Sequence, residues 1–549
     1  MKSPMLIPKV AISHRNQKRD SFEYRKRQTR GNRSQKNKEV EHCQIAERVR
    51  DSDYYKFNNL PQNLHRLYGN ICAKIRLSML KIYSTLSRKK EILKSRKSKK
   101  INLFVCGVTT YDFSHLGHAR TYIVFDMIAK YLRQRRYDVF YLQNVTDVDD
   151  KIIKRAREQG EDSGKLARRF EKEYLADMKT LGVNAVSKYA RATDYIPEIM
   201  NQVQHLLGKG YAYEIEGDGI YFDISKFKEY GKLSGRTKEQ AQDAVSRIDE
   251  SVNKRNKGDF ALWKLSKPGE PKWKSSWGWG RPGWHIEDTA ITEKFFGPQY
   301  DIHGGAQDLI FPHHEAEVTQ MESVSGKKPF VKYWMHTGFL TVRGEKMSKS
   351  LGNFVTIRDF LKTYSPRLLR FFVLKTHWRS PIDYSTELLE QSQSELGRID
   401  EFVDRLQEKS QIHPFIRRGA QSHDWTNSKL ALEKAMDDDF NTPLAISVLF
   451  DLIRKGNTMA NEGRMTKTSV KEILDFLNEV DEFFGFIFWG REKQQIPEDI
   501  KKLADQREQF RKSENWEKAD ELRKELQRKG WAIEDIPSGW KLKKLVYQR

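Results

Sequence analysis

The apolar positions between residues 101 and 143 change their spacing twice. Residues 101–105 form a short apolar run, which indicates a strand buried on both faces. Apolar side chains then recur every three or four positions, which indicates a helix, at Tyr122, Phe125, Ile128, Ala129 and Leu132. A second apolar run covers residues 139–143. Strand, helix and strand in this order predict a βαβ unit.

The pattern changes again after residue 193. Residues 210–213 and 219–222 alternate like short strands, and 236–257 are charged and poor in apolar side chains. Beyond residue 384 the period is helical, with one apolar face marked by Leu389, Leu396, Ile399, Val403 and Leu406. Further helices are predicted from Thr442-Pro443, over 473–484, and around Ala519, Leu522 and Leu526 up to Gly530; residues 532–533 and 541–542 suggest a terminal hairpin.

Length and charge bound the class of protein. A chain of 549 residues is too long for one core, so several domains are expected. Its net charge of +24 indicates a polyanionic partner, and nucleic acid is the first candidate. The alternative is that the basic surface only keeps the protein in solution. No apolar run is long enough to cross a membrane. Three cysteines do not make a disulfide framework, so a reducing compartment is expected.

The first 78 residues differ from the rest of the chain. They hold 18 Lys/Arg against 7 Asp/Glu, and their polar composition without periodicity favours disorder. Three interpretations stay open: an RNA-binding tail, a targeting segment of the transit-peptide kind, or translated sequence upstream of the true start.

Candidate chemistry follows the first predicted strand. Residues 106–120 read C-G-V-T-T-Y-D-F-S-H-L-G-H-A-R and lead into the predicted helix. Ligands of βαβ units bind at the carboxyl ends of strands, against helix N-termini, so a phosphate-bearing ligand is expected here. Cys106 alone would more often be an inert buried thiol, and a lone histidine a structural one. Two histidines flanking Gly117 favour phosphate donors.

Two more stretches carry polar side chains suited to a site. Thr146 and the acids Asp149 and Asp150 follow the second strand, where they form either a wall of the site or a helix N-cap. His313 and Glu317 are four residues apart, so on a helix their side chains lie on one face and can converge on one metal ion. An isolated pair at this spacing would more often be a solvated helix face.

Several short motifs occur in register. The pair H-L-G-H (115–118) and K-M-S-K-S (346–350) resembles the signature of class I aminoacyl-tRNA synthetases. With Cys106 before the first motif, G-W-H-I-E at 283–287 and F-P-H-H-E at 311–315, the chain is identified as a member of the cysteine–tRNA ligase family. The resemblance covers the chain from about Leu80 to its end.

The resemblance implies one zinc ion per chain. The family's ligands fall on Cys106, position 288, His313 and Glu317. Position 288 is Asp288 in G-W-H-I-E-D-T, where cysteine is usual, and a carboxylate also binds zinc, through oxygen. The alternative is that Asp288 caps a helix that starts near Thr289.

The resemblance also implies the other site residues. The expected catalytic residues are His115, His118, Lys346 and Lys349. ATP, with Mg²⁺, is expected to contact His115, Gly117, His118, Asp308 and Lys349, with residues 303–308 as a second glycine-rich loop. Cysteine is expected to contact Cys106, Thr146 and Trp284, although Trp284 is as well suited to core packing.

The implied fold class is α/β: a Rossmann-like class I catalytic domain split by an insertion, then a helical bundle and a small terminal module. The expected segments are the basic extension 1–78, the first catalytic half 79–192, the insertion 193–274, the second catalytic half 275–345, the K-M-S-K-S region 346–384, the anticodon-side bundle 385–490 and the anticodon-recognition module 491–549.

The implied activity joins L-cysteine to its tRNA through a cysteinyl-adenylate. The partners would be cysteine tRNA, cysteine and ATP, with no membrane, for a cytoplasmic monomer; an organelle is the alternative if 1–78 is a transit peptide. Two rival functions stay open. One is a related ligase that transfers cysteine to an amino sugar, and the other is a non-catalytic RNA-binding paralogue.

Overall fold

The computed structural model describes residues 79–236, 240, 253–347, 352–411, 425–491, 496–536 and 539–544. The predictions for residues 1–78 and for Lys349 lie outside these ranges, and so does the side chain of Lys346. Leu80–Arg549 is one compact unit.

The described strands, in chain order, are β1 (Lys81–Ser84), β2 (Lys89–Ile92), β3 (Lys100–Thr109), β4 (Asp138–Thr146), β5 (Lys188–Arg191), β6 (Ala212–Ile215), β7 (Gly219–Phe222), β8 (Phe260–Leu265), β9 (Trp273–Ser275), β10 (Gly278–Pro282), β11 (Tyr300–Ala306), β12 (Val331–Thr337), β13 (Leu340–Val342), β14 (Glu345–Lys346), β15 (Ile382–Tyr384), β16 (Trp531–Ile536) and β17 (Gly539–Lys544). The described α-helices are α1 (Leu116–Gln134), α2 (Asp150–Gln159), α3 (Ser163–Thr180), α4 (Ile196–Gly208), α5 (Ile286–Phe296), α6 (Glu315–Ser325), α7 (Ile357–Leu361), α8 (Pro366–Leu374), α9 (Thr386–Gln411), α10 (Thr426–Asp437), α11 (Thr442–Asn461), α12 (Lys467–Phe484), α13 (Glu498–Lys512) and α14 (Trp516–Arg528).

A parallel sheet in the order β12-β11-β3-β4-β5 forms the centre of this unit. The predicted βαβ unit is confirmed as β3, α1 and β4, and all three elements are longer than their apolar runs. The first strand continues through Cys106 to Thr109, so the thiol lies inside the strand instead of just beyond it. Most side chains of α1 are buried, as expected for a helix that packs against a sheet.

A buried ionic network ties α1 to the helical half of the protein. The carboxylate of Asp126 on α1 accepts hydrogen bonds from the Arg370 guanidinium (2.6 Å) and from Lys130 (2.8 Å), and it also pairs ionically with both. Its other oxygen accepts the backbone N–H groups of Asn184 and Ala185, each at 2.9 Å. Burial alone would raise the pKa of Asp126, but the charges of Arg370 and Lys130 outweigh burial and hold it below its usual value.

In the predicted glycine-rich loop at 303–308, Gln307 and Asp308 lie in a short turn, but residues 303–306 belong to β11, so the prediction is wrong for that part. Their glycines serve close packing instead. A Cβ on Gly304 would lie 2.3 Å from the ring of Phe125 on α1, and one on Gly305 would lie 2.6 Å from the ring of His314. Glycine at these positions lets helices pack directly on the strand.

An antiparallel sheet in the order β6-β7-β8-β10-β9 runs from Ala212 to Pro282 and interrupts the parallel sheet in sequence. The two predicted short strands are confirmed as β6 and β7. The last strand of this sheet in sequence, β10, leads through Gly283 directly into Trp284 and α5.

The described chain beyond β15 is helical until the terminal hairpin. The five apolar positions predicted for the first of these helices are all buried on α9. Thr442 opens α11 with Pro443 in the first turn, as predicted. The predicted late helix and hairpin are confirmed as α14 and the β16–β17 pair. None of the described helices combines the length and apolar character that a membrane span requires.

Candidate functional site

Cys106 lies where β3 departs from regular pairing with β4. The register shifts between Val105 and Val108, and the N–H of Gly107 donates to Oδ1 of Asn144 at 2.6 Å. Only glycine fits at position 107, since a Cβ there would lie 1.8 Å from the carbonyl oxygen of Asn144. The irregularity places the buried thiol of Cys106 against residues that follow β11.

His313 is the centre of a buried cluster. Its Nε2 lies 3.5 Å from the Cys106 sulfur, 3.1 Å from Oδ2 of Asp288 and 3.3 Å from Oε1 of Glu317. His313 belongs to a π-helical turn and Glu317 to the first turn of α6, yet their side chains converge as the i, i+4 spacing predicts. All four residues of the predicted metal set therefore meet around one imidazole nitrogen.

Asp288 does not cap a helix. The helix α5 begins at Ile286 with His285 as N-cap residue, so Asp288 lies in its first turn, and the predicted cap of a helix starting near Thr289 is wrong. The side chain of Asp288 is fully buried, and its Oδ1 has no hydrogen-bond partner among the described residues. A buried carboxylate oxygen without a partner is costly unless a cation or proton satisfies it.

Other polar atoms of the cluster are also unsatisfied. Both carboxylate oxygens of Glu317 and the Nε2 atoms of His303 and His314 lack hydrogen-bond partners among the described residues. Three overlapping triads bring their ligand atoms within 4.8 Å of one another: Cys106, His313 and His314; Asp288, His313 and Glu317; His303, His314 and Glu317. The donor set of sulfur, imidazole nitrogen and carboxylate oxygen suits zinc.

The pKa shifts of the cluster also support a bound cation. Burial raises the pKa of the Cys106 thiol well above its usual value, and the negative charges of Asp288, Glu317 and Glu287 raise it further. Burial likewise raises the pKa of Glu317, with Asp288 as the second cause. A bound cation would reverse these shifts, because it favours the charged form of each ligand.

The cluster includes histidines to which the sequence analysis assigned no role. Nδ1 of His285 lies 2.8 Å from Nδ1 of His313, which leaves Nε2 of His313 to the other ligand candidates. Nδ1 of His314 lies 2.8 Å from Nε2 of His336. His285 and His314 are adjacent in sequence to predicted site residues, which was the available signal.

Trp284 and Thr146 form two walls beside the cluster. The ring of Trp284 stacks on that of His313, with centroids 4.4 Å apart and an interplanar angle of 23°. Thr146, the last residue of β4, donates to the buried carboxyl of Glu287, which Asn144 also contacts. Burial raises the pKa of Glu287 well above its usual value. Asp149, in contrast, is the N-cap of α2, so its capping interpretation is confirmed.

The first signature caps its own helix. Nδ1 of His115 accepts the N–H of Gly117 at 3.0 Å, and Nδ1 of His118 accepts the N–H of His115 at 3.4 Å. The two rings stack with centroids 3.8 Å apart, and a Cβ on Gly117 would lie 2.8 Å from the His115 ring. Since both Nδ1 atoms accept, each neutral imidazole carries its proton on Nε2. Burial lowers the pKa of His118, which favours this neutral form.

Described residues within and after the second signature lie beside the first. The N–H of Leu116 donates to the carbonyl of Val355 at 3.1 Å, and the N–H of Ile357 donates to that of Ser114 at 2.9 Å. Within the second signature, a Cβ on Gly117 would lie 3.8 Å from the methyl carbon of Met347. These contacts place Met347 and Val355 at the N-terminus of α1.

Asp308 lies in a short 3₁₀ turn, Gln307–Leu309, directly after β11. Its side chain is exposed. The turn follows the carboxyl end of the strand, which is the edge where ligands of parallel sheets bind.

Family models match most of the described chain. Residues 92–394 match the model described as tRNA synthetases class I (C) catalytic domain, and residues 431–488 match the DALR domain. Solved structures with similar folds include a Mycobacterium tuberculosis methionyl-tRNA synthetase in complex with methionyl-adenylate, with 16% identity, a TM-score of 0.51 and coverage of 71% of this chain and 88% of that chain. A leucyl enzyme in ternary complex from Agrobacterium radiobacter K84 has 12% identity, a TM-score of 0.52 and coverage of 77% and 87%. At these identities the likeness concerns the fold.

Relatives of much higher identity match 84% of this chain and are themselves covered almost completely. The cysteine–tRNA ligase of Thermococcus gammatolerans is 45% identical over 478 residues, which are 84% of this chain and 99% of the relative. That of Carboxydothermus hydrogenoformans is 44% identical over 467 residues, 84% of this chain and 100% of the relative. Since the catalytic-domain model matches more than half of the chain and these relatives are covered almost completely, the chain belongs to the cysteine–tRNA ligase family of class I aminoacyl-tRNA synthetases.

Proposed function

We propose that this protein attaches L-cysteine to cysteine tRNA in two steps. Cysteine and ATP first give cysteinyl-adenylate and pyrophosphate, as the cysteine carboxylate attacks the α-phosphorus. The terminal ribose of the tRNA then takes the cysteinyl group and AMP leaves. The observation that carries the proposal is the buried meeting of Cys106, Asp288, Glu317 and His313. Cys106 lies on β3, the strand that precedes the first signature at the start of α1.

The proposed zinc ligands are Cys106, Asp288, His313 and Glu317. Support comes from the unpartnered buried oxygens of Asp288 and Glu317 and from the donor set. When bound, zinc offers the substrate thiol a coordination position that a hydroxyl fills much less well, which selects cysteine over serine. Trp284, whose ring stacks on His313, is the proposed apolar wall of the cysteine pocket.

The proposed nucleotide side is the N-terminus of α1. The two Nε2–H groups of His115 and His118 are fixed as neutral donors, which suits phosphate oxygens. Gly117 keeps the backbone free of a side chain there, and Asp308 is the proposed contact to the adenosine or ammonium group. Lys346 and Lys349 are proposed to neutralise the charge that grows on the α-phosphate and departing pyrophosphate.

The function is tested with purified protein in two assays. Cysteine-dependent exchange of pyrophosphate into ATP tests the first step, and transfer of labelled cysteine to cysteine tRNA tests the second. Exchange with transfer to an amino sugar and none to tRNA would support the rival ligase. Binding of tRNA without any exchange would support the non-catalytic paralogue.

Replacing Lys349 by alanine should lower the rate of adenylate formation about 10²-fold or more, because the ammonium group acts on charge that develops in the transition state. Binding of cysteine should change little. The rate is measured by pyrophosphate exchange. The matched control is Lys362→Ala, a change to an exposed lysine directly after α7. An unchanged rate would remove Lys349 from the mechanism.

Replacing Asp288 by asparagine should reduce bound zinc and raise the KM for cysteine, because the amide is a much weaker ligand of nearly the same shape. Asp288→Cys should retain zinc. The neighbouring Glu287→Gln variant is the control for metal content and should keep zinc, since Glu287 bonds to Thr146 and is not one of the proposed ligands. Metal content is measured by mass spectrometry. Wild-type protein that activates cysteine fully with far less than one zinc per chain would exclude the four-ligand assignment.

A further inference from the structure

The antiparallel sheet ends in a hairpin that is rich in tryptophan and lysine. Residues 264–282 contain five basic side chains, one acidic side chain and three tryptophans. Two of the tryptophans, Trp273 and Trp277, pack against the buried core, and the Trp277 ring meets Trp263 edge-on with centroids 6.1 Å apart. The third, Trp279, remains 53% exposed. Packing of the hairpin therefore does not explain why a large aromatic side chain occupies position 279.

Two lysines share the face of Trp279. In the register of β9 and β10, Trp279 stands directly opposite Lys274, so both side chains point to the same side of the sheet. The ammonium of Lys272, two residues earlier on the same face, lies 5.5 Å from the Trp279 ring centroid. Among the residues that the structure describes, no carboxylate pairs with Lys272 or Lys274, and both are exposed. These three residues, Lys272, Lys274 and Trp279, form the Trp279 patch.

A short stretch of chain connects the Trp279 patch to the candidate site. Five residues after Trp279 along the chain comes Trp284, which stacks on His313, and an extended stretch of that length spans roughly 16 Å. The sheet is held at this place by Arg281 and Lys264, which both pair with Asp150 in the first turn of α2. Whatever binds the patch therefore lies a fixed, short distance from the cysteine pocket.

We propose that the Trp279 patch binds the single-stranded 3′ end of the tRNA, by stacking a base on Trp279 and contacting phosphates with Lys272 and Lys274. An exposed aromatic side chain between cations is the usual platform for single-stranded nucleic acid, because every base has a stacking face and every nucleotide a negative charge. The inference rests on the proposed function, since the terminal ribose of the tRNA has to reach the cysteine pocket.

The test compares Trp279→Ala with wild-type protein on two tRNAs, cysteine tRNA with its full 3′ end and the same tRNA lacking the unpaired terminal nucleotides. The variant should bind the full tRNA about tenfold more weakly, because loss of one stacked base typically costs this much or more. It should bind the shortened tRNA as the wild type does. Trp279→Phe should restore most of the affinity, and Lys272→Ala should reduce the salt dependence of binding.

Two binding results would overturn the proposal: equal affinity of Trp279→Ala and wild type for the full tRNA, or an equal loss of affinity on both tRNAs. A third result would do so in sedimentation, if the wild type is a dimer and Trp279→Ala a monomer, because the patch would then be a contact between copies of this chain. Pyrophosphate exchange by the wild type distinguishes these from failure of the proposed function. Wild-type protein without exchange contradicts the proposed function, whereas normal exchange with one of these outcomes contradicts the patch alone.

Discussion

Replacing His313 by alanine is expected to abolish stoichiometric zinc binding and to lower kcat/KM for cysteine at least about 10²-fold. Changes to residues that merely support a metal ligand cost 10- to 100-fold in affinity, and His313 is the group on which the other three ligand candidates converge. Its loss also removes the ring on which Trp284 stacks. Zinc content by mass spectrometry and exchange kinetics against cysteine concentration give the two readouts.

The matched control is His205→Ala, an exposed histidine on α4. It should keep zinc and activity. Binding of ATP by His313→Ala, measured by calorimetry, shows whether the variant has folded. A folded His313→Ala protein with one zinc per chain would mean that another pair of side chains, such as Cys106 with His314, holds the metal.

Replacing Asp126 by alanine is expected to lower the free energy of unfolding by about 3–5 kcal/mol, because it leaves the buried guanidinium of Arg370 without its counter-charge. The loss should appear as a lower urea midpoint of the full chain. The control Asp451→Ala removes an exposed ion pair with Arg454 and should shift the midpoint little. Equal shifts of the urea midpoint in the two variants would contradict a stabilising role of the buried Asp126–Arg370 pair.

The Asp126 network also predicts an acid dependence. The pKa of Asp126 lies below its ordinary value of 3.8 in the folded protein. A carboxyl group with a lowered pKa stabilises the fold fully above its ordinary pKa, and this contribution disappears as the pH falls through the lower folded value. The difference in urea midpoint between wild type and Asp126→Ala should therefore shrink below about pH 4.

Local patterns in the sequence predicted the parts of the fold that local chemistry determines. The βαβ unit, the apolar face of α9 and the terminal hairpin follow from spacing alone, because period and burial are linked. The convergence of His313 and Glu317 was equally predictable from i, i+4 geometry. Family resemblance supplied Cys106 and position 288, which no spacing could have joined.

What the sequence could not predict depends on contacts between distant segments. Gly304 and Gly305 suggest a loop when only the local chain is considered, yet they lie in β11 because they pair with β12, a strand about 30 residues further along the chain. Asp288 likewise seemed able to cap a helix, but α5 begins two residues earlier. The roles of His285 and Glu287 follow from side chains more than 25 residues away.

The glycine at position 304 has a consequence for how the two substrates are held. Its missing side chain lets the ring of Phe125 rest on β11, and Phe125 belongs to the helix whose first turn carries His115 and His118. The adjacent His303 lies in the histidine cluster on the same strand. The spacing between α1, which carries the proposed phosphate-binding histidines, and β11, which carries His303, thus depends on one aromatic ring that rests on bare backbone. A Cβ at Gly304 would lie 2.3 Å from that ring, so the ring or the strand would have to shift.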